Sequence, residues 1–108
     1  MAKRTYLTPT SDAVRVLGQQ LAAARRSQRR TTADVAERVG ISLLTLRKVE
    51  RGDPGVAVGT VFEVATVLGV ALFGATGPQL AELAARGERE LALLPARIVR
   101  PEQADDDF

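Results

Sequence analysis

Residues 40–52 read GISLLTLRKVERG, and this stretch decides the fold. On a helical wheel with 100° per residue, Leu46 and Val49 fall on one side, as expected for residues that pack against a core. The opposite side carries Leu44, Thr45, Arg47 and Lys48. A short helix with a buried side and a partly charged outward side must present that outward side to solvent or to a partner.

The residues that flank this stretch predict two short helices joined by a tight turn. Thr31, followed three residues later by Asp34, resembles a capping box with Asp in place of the usual Glu. Gly40 is well placed to end the first helix in a left-handed turn, and Ser42 can cap a second helix that continues to Gly52. The pattern therefore predicts a helix-turn-helix.

The rest of the chain is predicted to be mainly helical. Helical periodicity and caps favour helices over about 12–27, 58–68 and 78–94, with one short helical turn within 70–77 and an extended segment over ARIVR at 96–100. The expected organisation is an N-terminal arm at 1–11, a helix-turn-helix domain at 12–75, a C-terminal extension for dimerisation or partner binding at 76–101, and an acidic tail at 102–108.

Composition argues against an enzyme. The 108 residues include no cysteine and no histidine, so disulfides, the usual transition-metal ligands and the commonest general base are all missing. No Gly-rich phosphate loop or nucleophile–base pair is present, and neither a cofactor nor a metal is expected. No apolar run approaches the roughly 20 residues of a membrane span, and the first residues lack a secretory signal. We therefore expect a cytoplasmic protein.

Charge is distributed unevenly along the chain. Residues 1–54 carry eleven Lys or Arg against five acids, whereas residues 55–108 carry four Arg against eight acids. A basic half joined to an acidic half is consistent with two partners of opposite charge. The alternative is that both halves are ordinary solvated surfaces.

Residues 14–70 resemble the Cro/phage-repressor type of helix-turn-helix domain, the XRE family. The matching positions are Arg25, Thr31, Val35-Ala36, Gly40-Ile41-Ser42, Thr45-Leu46, Glu50-Arg51-Gly52 and Leu68-Gly69-Val70. The resemblance implies an all-α fold, a five-helix phage-repressor-like domain with a C-terminal helix and a short extended segment. It also implies a transcriptional regulator, a repressor, that binds double-stranded operator DNA as a homodimer, with the second helix of the motif in the major groove.

The chain departs from the family pattern at four positions. Thr32 and Leu43 stand where polar residues, commonly Gln at the first, are usual, so an amide pairing with adenine is not available from them. Ala57 replaces a Ser or Thr cap, and Arg30 stands where an apolar residue is usual. The first of these departures, at Thr32 and Leu43, affects the base code and not the fold.

A narrower resemblance links the chain to HipB-type antitoxins. It is carried by ERGDPGVAVGTV at 50–61 and by LPARIVRPEQADDDF at 94–108. It implies an antitoxin of a toxin–antitoxin system that binds a HipA-type kinase toxin and autoregulates the shared operon. The alternatives are a stand-alone XRE-type regulator without a toxin, and a helix-turn-helix module that binds protein and not DNA.

Candidate DNA-binding residues follow from the resemblance and from the outward side of the second motif helix. They are Arg29, Arg30, Thr32, Ser42, Leu43, Leu44, Thr45, Arg47, Lys48, Gly59 and Thr60. Arg47 can pair bidentately with guanine, Lys48 suits phosphate, and Leu44 suits a thymine methyl. Against this, Arg47 and Lys48 could be solvated charges, and the leucines could pack against a neighbouring helix.

Two further groups of residues receive roles. In the family, the positions of Arg25 and Glu50 join two helices, so both are interpreted as structural. The candidates for a dimer or partner contact are Leu80, Leu83, Leu91, Leu94, Ile98 and Phe108. Of these, Phe108 ends the acidic tail and could anchor it in a partner, although such a charge run is more often only a solvated end.

Overall fold

The computed structural model describes residues 4–101, which form five α-helices and no β-strand. The helices are α1 (Thr8–Ser27), α2 (Thr32–Val39), α3 (Leu43–Arg51), α4 (Val58–Leu68) and α5 (Gly77–Ala92). The predicted all-α class is confirmed. The chain divides between Phe73 and Gly74 into two compact units, so that α1–α4 belong to the first and α5 to the second.

The helix-turn-helix is made by α2 and α3, and its boundaries follow local chemistry. The Thr31 side chain accepts a hydrogen bond from the backbone N–H of Asp34 at 3.0 Å. The Ser42 hydroxyl accepts one from the N–H of Thr45, also at 3.0 Å. Gly40 ends α2 with φ 84° and so takes the left-handed conformation that glycine tolerates best. The predicted caps and the turn between the two helices are confirmed, but the capping box at Thr31 is only half formed, because the described residues show no return hydrogen bond from the Asp34 side chain.

The first helix begins four residues earlier than predicted, at Thr8 and not at Asp12. The start has no side-chain cap. Instead the backbone carbonyl of Leu7 accepts hydrogen bonds from the N–H groups of Thr10 (3.0 Å) and Ser11 (3.2 Å). Pro9 fits the first turn because a helix start leaves its N–H groups without helical partners anyway. The predicted start rested on Thr10, Ser11 and Asp12 as capping residues, but all three lie inside the helix.

The four helices of the first unit enclose one apolar core. Its buried members come from every helix: Leu21, Val35, Ala36, Leu46, Val49, Val64, Ala65 and Leu68. They are aliphatic, as the low aromatic content required, and no buried polar or charged residue lies among the described residues. Burial of such side chains is the main stabilising contribution in a domain of this size.

Helix α1 lies unusually close to the end of α3, and two glycines make this possible. A Cβ added to Gly18 would lie 2.6 Å from the carbonyl oxygen of Val49 and 2.8 Å from that of Glu50. A Cβ added to Gly52 would lie 2.5 Å from the Cα of Arg15. Real Cβ atoms do not approach so closely, so both positions need glycine for contact between the backbones.

Residues 70–76 differ from the prediction. The expected helical turn is absent, and the chain turns sharply through Phe73 and Gly74, with φ values of 56° and 63°. The Phe73 ring packs edge-on against Phe62, with 6.0 Å between ring centroids, and this contact helps to hold an unfavourable backbone conformation.

The second unit consists mainly of α5. Thr76 and Gln79 form a reciprocal capping box at its start, and the helix ends at Ala92, two residues before the predicted end. No residue of α5 is buried. Ile98–Arg100 have neither helical nor strand structure. Among the helices described, none is long and apolar enough to span a membrane.

Candidate nucleic-acid interface

The outward face of α3 is accessible and partly charged. Arg47 is exposed, Lys48 and Thr45 are half-buried, and Leu44 exposes 59% of its surface. Within residues 4–101 no hydrogen bond or ion pair forms to the side chain of Arg47 or Lys48. Two cations are thus presented on α3 without an ion pair among the described residues, although Asp53 lines the same cleft as Lys48. Leu43 is half-buried.

Two hydroxyl groups at the start of α3 are bonded to each other. Ser42 Oγ accepts the backbone N–H of Thr45 and in turn donates to Thr45 Oγ1 at 2.9 Å. The single proton of the Ser42 hydroxyl is then used inside the protein, whereas the Thr45 hydroxyl proton remains available. Thr45 is therefore the better placed of the two to donate a hydrogen bond to phosphate or to a base.

A cleft joins the outward face of α3 to the start of α4. It has a volume of about 300 Å³ and is lined by Thr45, Lys48, Asp53, Gly55, Val56, Ala57 and Thr60. Helix α4 has no side-chain cap because its N-cap is Ala57. The N–H groups of Thr60 and Val61 bond to the Ala57 carbonyl, and the exposed Gly59 places no side chain over the helix start. An uncapped helix N-terminus beside a lysine is suited to bind an anion.

Arg29 and Arg30 are adjacent in sequence but differ in environment. Arg29 is exposed and adopts φ 56° in the turn before α2. Arg30 is half-buried, and its guanidinium donates to the backbone carbonyl of Val67 at 3.3 Å, near the end of α4. Gln28 donates to the next carbonyl, that of Leu68, at 2.7 Å. Arg30 thus links the α1–α2 turn to α4, a contact that sequence reasoning missed, while Arg29 faces solvent.

Helices α1 and α3 are joined by an ion pair. Arg25 donates through Nε to Glu50 Oε2 at 2.6 Å and through Nη2 to Oε1 at 3.0 Å. Its third contact is Nη1 to the carbonyl oxygen of Arg30 at 3.0 Å. The hydrogen bond to Glu50 raises the pKa of Arg25, which burial only partly offsets. The pair fixes α3 relative to α1.

These features agree with the comparison of the chain with known families. The model of a helix-turn-helix domain family of the XRE-like type matches residues 16–83. The chain belongs to this helix-turn-helix family. Comparisons with curated proteins and with solved structures gave no match. The helix-turn-helix assignment supports a DNA-binding regulator, and α3 corresponds to the second helix of the motif.

Near the C-terminal end of α3, the helix-turn-helix domain has a further basic feature that the sequence analysis missed. A cleft of about 560 Å³ is lined by Arg4, Tyr6, Arg51, Gly52, Asp53, Pro54 and Gly55. The guanidinium of Arg4 lies over the Tyr6 ring, 5.1 Å from its centroid. The only sequence signal was the basic pair at residues 3 and 4, which has no fixed position until the chain folds.

The residues assigned to a dimer or partner contact lie in the second unit. Leu91, Leu94 and Ile98 expose 70%, 61% and 88% of their surface, and Leu83 exposes 37%. Leu80 is half-buried. Phe108 lies outside the described residues. Of the remaining DNA-binding candidates, Thr32 is half-buried in the first turn of α2, directly after the Thr31 cap.

Proposed function

We propose that this protein is a sequence-specific DNA-binding repressor that acts as a homodimer. The observation that carries the proposal is the outward face of α3, where Leu44 is exposed and neither Arg47 nor Lys48 has a side-chain partner among residues 4–101. Arg47 is suited to read guanine through O6 and N7, and Lys48 to neutralise a phosphate. The uncapped start of α4, beside Thr60, supports a second phosphate contact.

A dimer is part of the proposal because one such unit reads few base pairs. Two copies related by a two-fold axis would place two α3 helices in successive major grooves, about 34–36 Å apart. The exposed leucines of α5 support a contact between copies in the second unit. The operator is then a palindrome whose half-sites are one helical turn apart.

The experiment selects an operator from random duplex DNA and titrates it by fluorescence anisotropy at several salt concentrations. Each phosphate neutralised should contribute about −0.9 to the slope of log affinity against log salt. Arg47→Ala should cost roughly 1–3 kcal/mol and relax the preference at one base pair of each half-site. Arg89→Ala is the matched control, since it removes the same charge from α5 and should change little.

The proposal fails if the selection enriches no sequence, or if binding ignores both salt and Arg47. A helix-turn-helix module that binds only protein would give that result. The unpartnered cations on α3 argue against this alternative, because a surface without an anionic ligand gains nothing from them.

We extend the proposal to a protein partner, a HipA-type kinase toxin, which would make the chain an antitoxin that represses its own operon. The support is the resemblance at 50–61 and 94–108, the negative charge of residues 55–108 and the exposure of Ile98.

A pull-down of the product of the adjacent gene tests the proposed toxin partner. Deletion of residues 102–108 should weaken capture and leave operator affinity unchanged. Equal capture by both forms would remove the role given to the tail and Phe108, and no capture by either would favour a stand-alone regulator.

A further inference from the structure

Helix α5 has an apolar face without a buried residue. Its leucines at positions 80, 83 and 91 all keep exposed surface, and Leu94 follows in the turn that ends the helix, where its N–H bonds to the carbonyl of Leu91 at 3.1 Å. Hydrophobic side chains at helical spacing normally face another element. The order of the residues on this face indicates which surface covers it.

The apolar positions are symmetric about Gly87. Leu83 and Leu91 each lie four residues from it, and Leu80 and Leu94 each lie seven residues from it. At 100° per residue, all four positions fall within about 40° of the direction of Gly87. The spacing of the leucines is therefore the same in both directions along the helix. Two antiparallel copies related by a two-fold axis then place leucine opposite leucine, as a self-complementary surface requires.

Contacts among residues 4–101 do not explain Gly87. It interrupts the middle of a 16-residue helix, where glycine is the least favourable residue after proline. A Cβ built on it would meet no atom of the described residues within 4 Å, so packing among them does not require glycine. A second helix crossing at this point would require it, because only glycine lets two helix backbones come into close contact.

We infer that two copies of this chain pair through α5, as antiparallel helices that cross at Gly87. In this arrangement Leu80 of each copy meets Leu94 of the other, and Leu83 meets Leu91. The inference rests on the proposed dimeric regulator and specifies its dimer contact. A helix from an unrelated protein would not need the face to be symmetric, whereas a second copy does.

The charges on one flank of this face favour the pairing, whereas on the other flank Glu88 of one copy comes within about 3 Å of Glu88 of the other along the axis. Arg86 and Glu90 lie on one flank and form a long ion pair within the helix, with Nε and Oε1 4.0 Å apart and both side chains mostly exposed. With a rise of 1.5 Å per residue, Glu90 of the second copy comes within about 3 Å of Arg86 along the helix axis. Each arginine then has a carboxylate from each copy beside it.

Disulfide trapping tests the geometry, because the chain has no cysteine of its own. Gly87→Cys should form a covalent dimer under mild oxidation at least about tenfold faster than Ala85→Cys, whose side chain points about 160° away. Leu80→Cys mixed with Leu94→Cys should cross-link, while either variant alone should not. A parallel pair would instead cross-link all three positions with themselves, and that result would overturn the inference.

A charge test covers the case in which cysteine disturbs the crossing. Position 87 meets its own copy at the axis, so Gly87→Glu and Gly87→Lys should each weaken dimerisation by about tenfold or more, because their side chains keep the two backbones apart and repel each other. Ala85→Glu and Ala85→Lys are the controls and should dimerise as the unaltered protein does. Sedimentation velocity gives the readout, and equal dimerisation of all four variants would overturn the inference.

Operator binding by the unaltered protein distinguishes a failure of the α5 contact from a failure of the proposed function. If it binds its operator as a dimer but position 87 neither cross-links nor responds to charge, the α5 geometry is wrong and the proposed function stands. If position 87 behaves as expected and no DNA is bound, the dimer contact stands and the proposed function fails.

Discussion

Arg25 and Glu50 are 25 positions apart in the sequence, yet they are joined by two hydrogen bonds of 2.6 and 3.0 Å, and each side chain is only 12% exposed. The bidentate geometry orients the end of α3 against α1. Charged groups this enclosed are costly to leave unpaired. The position of α3 therefore depends on this contact.

Glu50→Gln should lower the free energy of unfolding by about 3 kcal/mol, because it leaves the Arg25 charge in an enclosed site without a carboxylate. Asp12→Asn is the control, since it breaks an exposed pair in which Asp12 and Arg15 lie 3.5 Å apart, and should cost less than about 1 kcal/mol. Urea denaturation followed by circular dichroism measures both. Equal effects of the two substitutions would show that the Arg25–Glu50 pair contributes no more than a surface pair.

The pH dependence expected from Arg25 follows from the raised pKa that its hydrogen bond to Glu50 produces. A cation whose pKa is higher in the folded state contributes stability below its ordinary value, and this contribution is lost only as pH rises through the folded-state value. Because that value lies above the already high pKa of arginine, its contribution should be constant between pH 7 and pH 10. Urea midpoints of the Arg25→Gln variant and of the unaltered protein should differ by a constant amount between about pH 7 and pH 10, because glutamine does not titrate.

Gly18→Ala should destabilise the domain although alanine is the better helix former. The added methyl group would lie 2.6 Å from the Val49 carbonyl oxygen, and forcing the helices apart should cost about 1–3 kcal/mol. Gly59→Ala is the matched control, because a Cβ there meets no atom within 4 Å. It should leave stability unchanged or raise it by up to about 1 kcal/mol. Thermal melts without DNA compare the two, and a Gly18→Ala protein that gains stability would contradict the contact.

The residues that the sequence predicted correctly act over short distances. Thr31, Gly40 and Ser42 mark helix ends through bonds to neighbours three or four residues away, so a linear pattern is sufficient to find them. The Arg25–Glu50 pair was expected from the family resemblance, whereas other contacts between distant residues were missed. Arg30 bonds to a carbonyl 37 positions away, and the glycine requirement at position 18 depends on how two helices meet. Neither leaves a local signal.

The same distinction explains the errors in helix boundaries. The start of α1 was placed at Asp12 because side-chain caps are the visible signal, whereas the Leu7 carbonyl receives the first hydrogen bonds. The helical turn expected within 70–77 is replaced by positive φ at Phe73. Its ring contact with Phe62 could not be read from the sequence.

Arg29 should contact DNA, whereas Arg30 should have a structural role. Arg30→Ala removes the bond to the Val67 carbonyl and should lower the free energy of unfolding by about 1–2 kcal/mol, with the salt slope of operator binding unchanged. Arg29→Ala should leave stability unchanged and reduce the salt slope by about 0.9 if Arg29 neutralises one phosphate. Urea denaturation and anisotropy on both variants give the comparison. A reduced slope for Arg30→Ala would show that its remaining N–H groups reach DNA.

Leu44 should contact a thymine methyl group in the major groove. Its side chain is 59% exposed on the same face as Arg47, and thymine alone among the four bases offers a methyl group there. Replacing one thymine of the selected half-site by uracil removes only that methyl group. For the unaltered protein we expect a loss of about 1 kcal/mol, near fivefold in affinity, at one position of each half-site. For Leu44→Ala the same uracil substitution should not change the affinity, because the partner of the methyl group is already gone.

Thr60→Ala is the control, since its lost hydroxyl would weaken binding to both operators equally. Anisotropy titrations of the two proteins and the control against each DNA complete the cycle. If no thymine position gives a uracil effect that disappears with Leu44→Ala, Leu44 does not contact a thymine methyl.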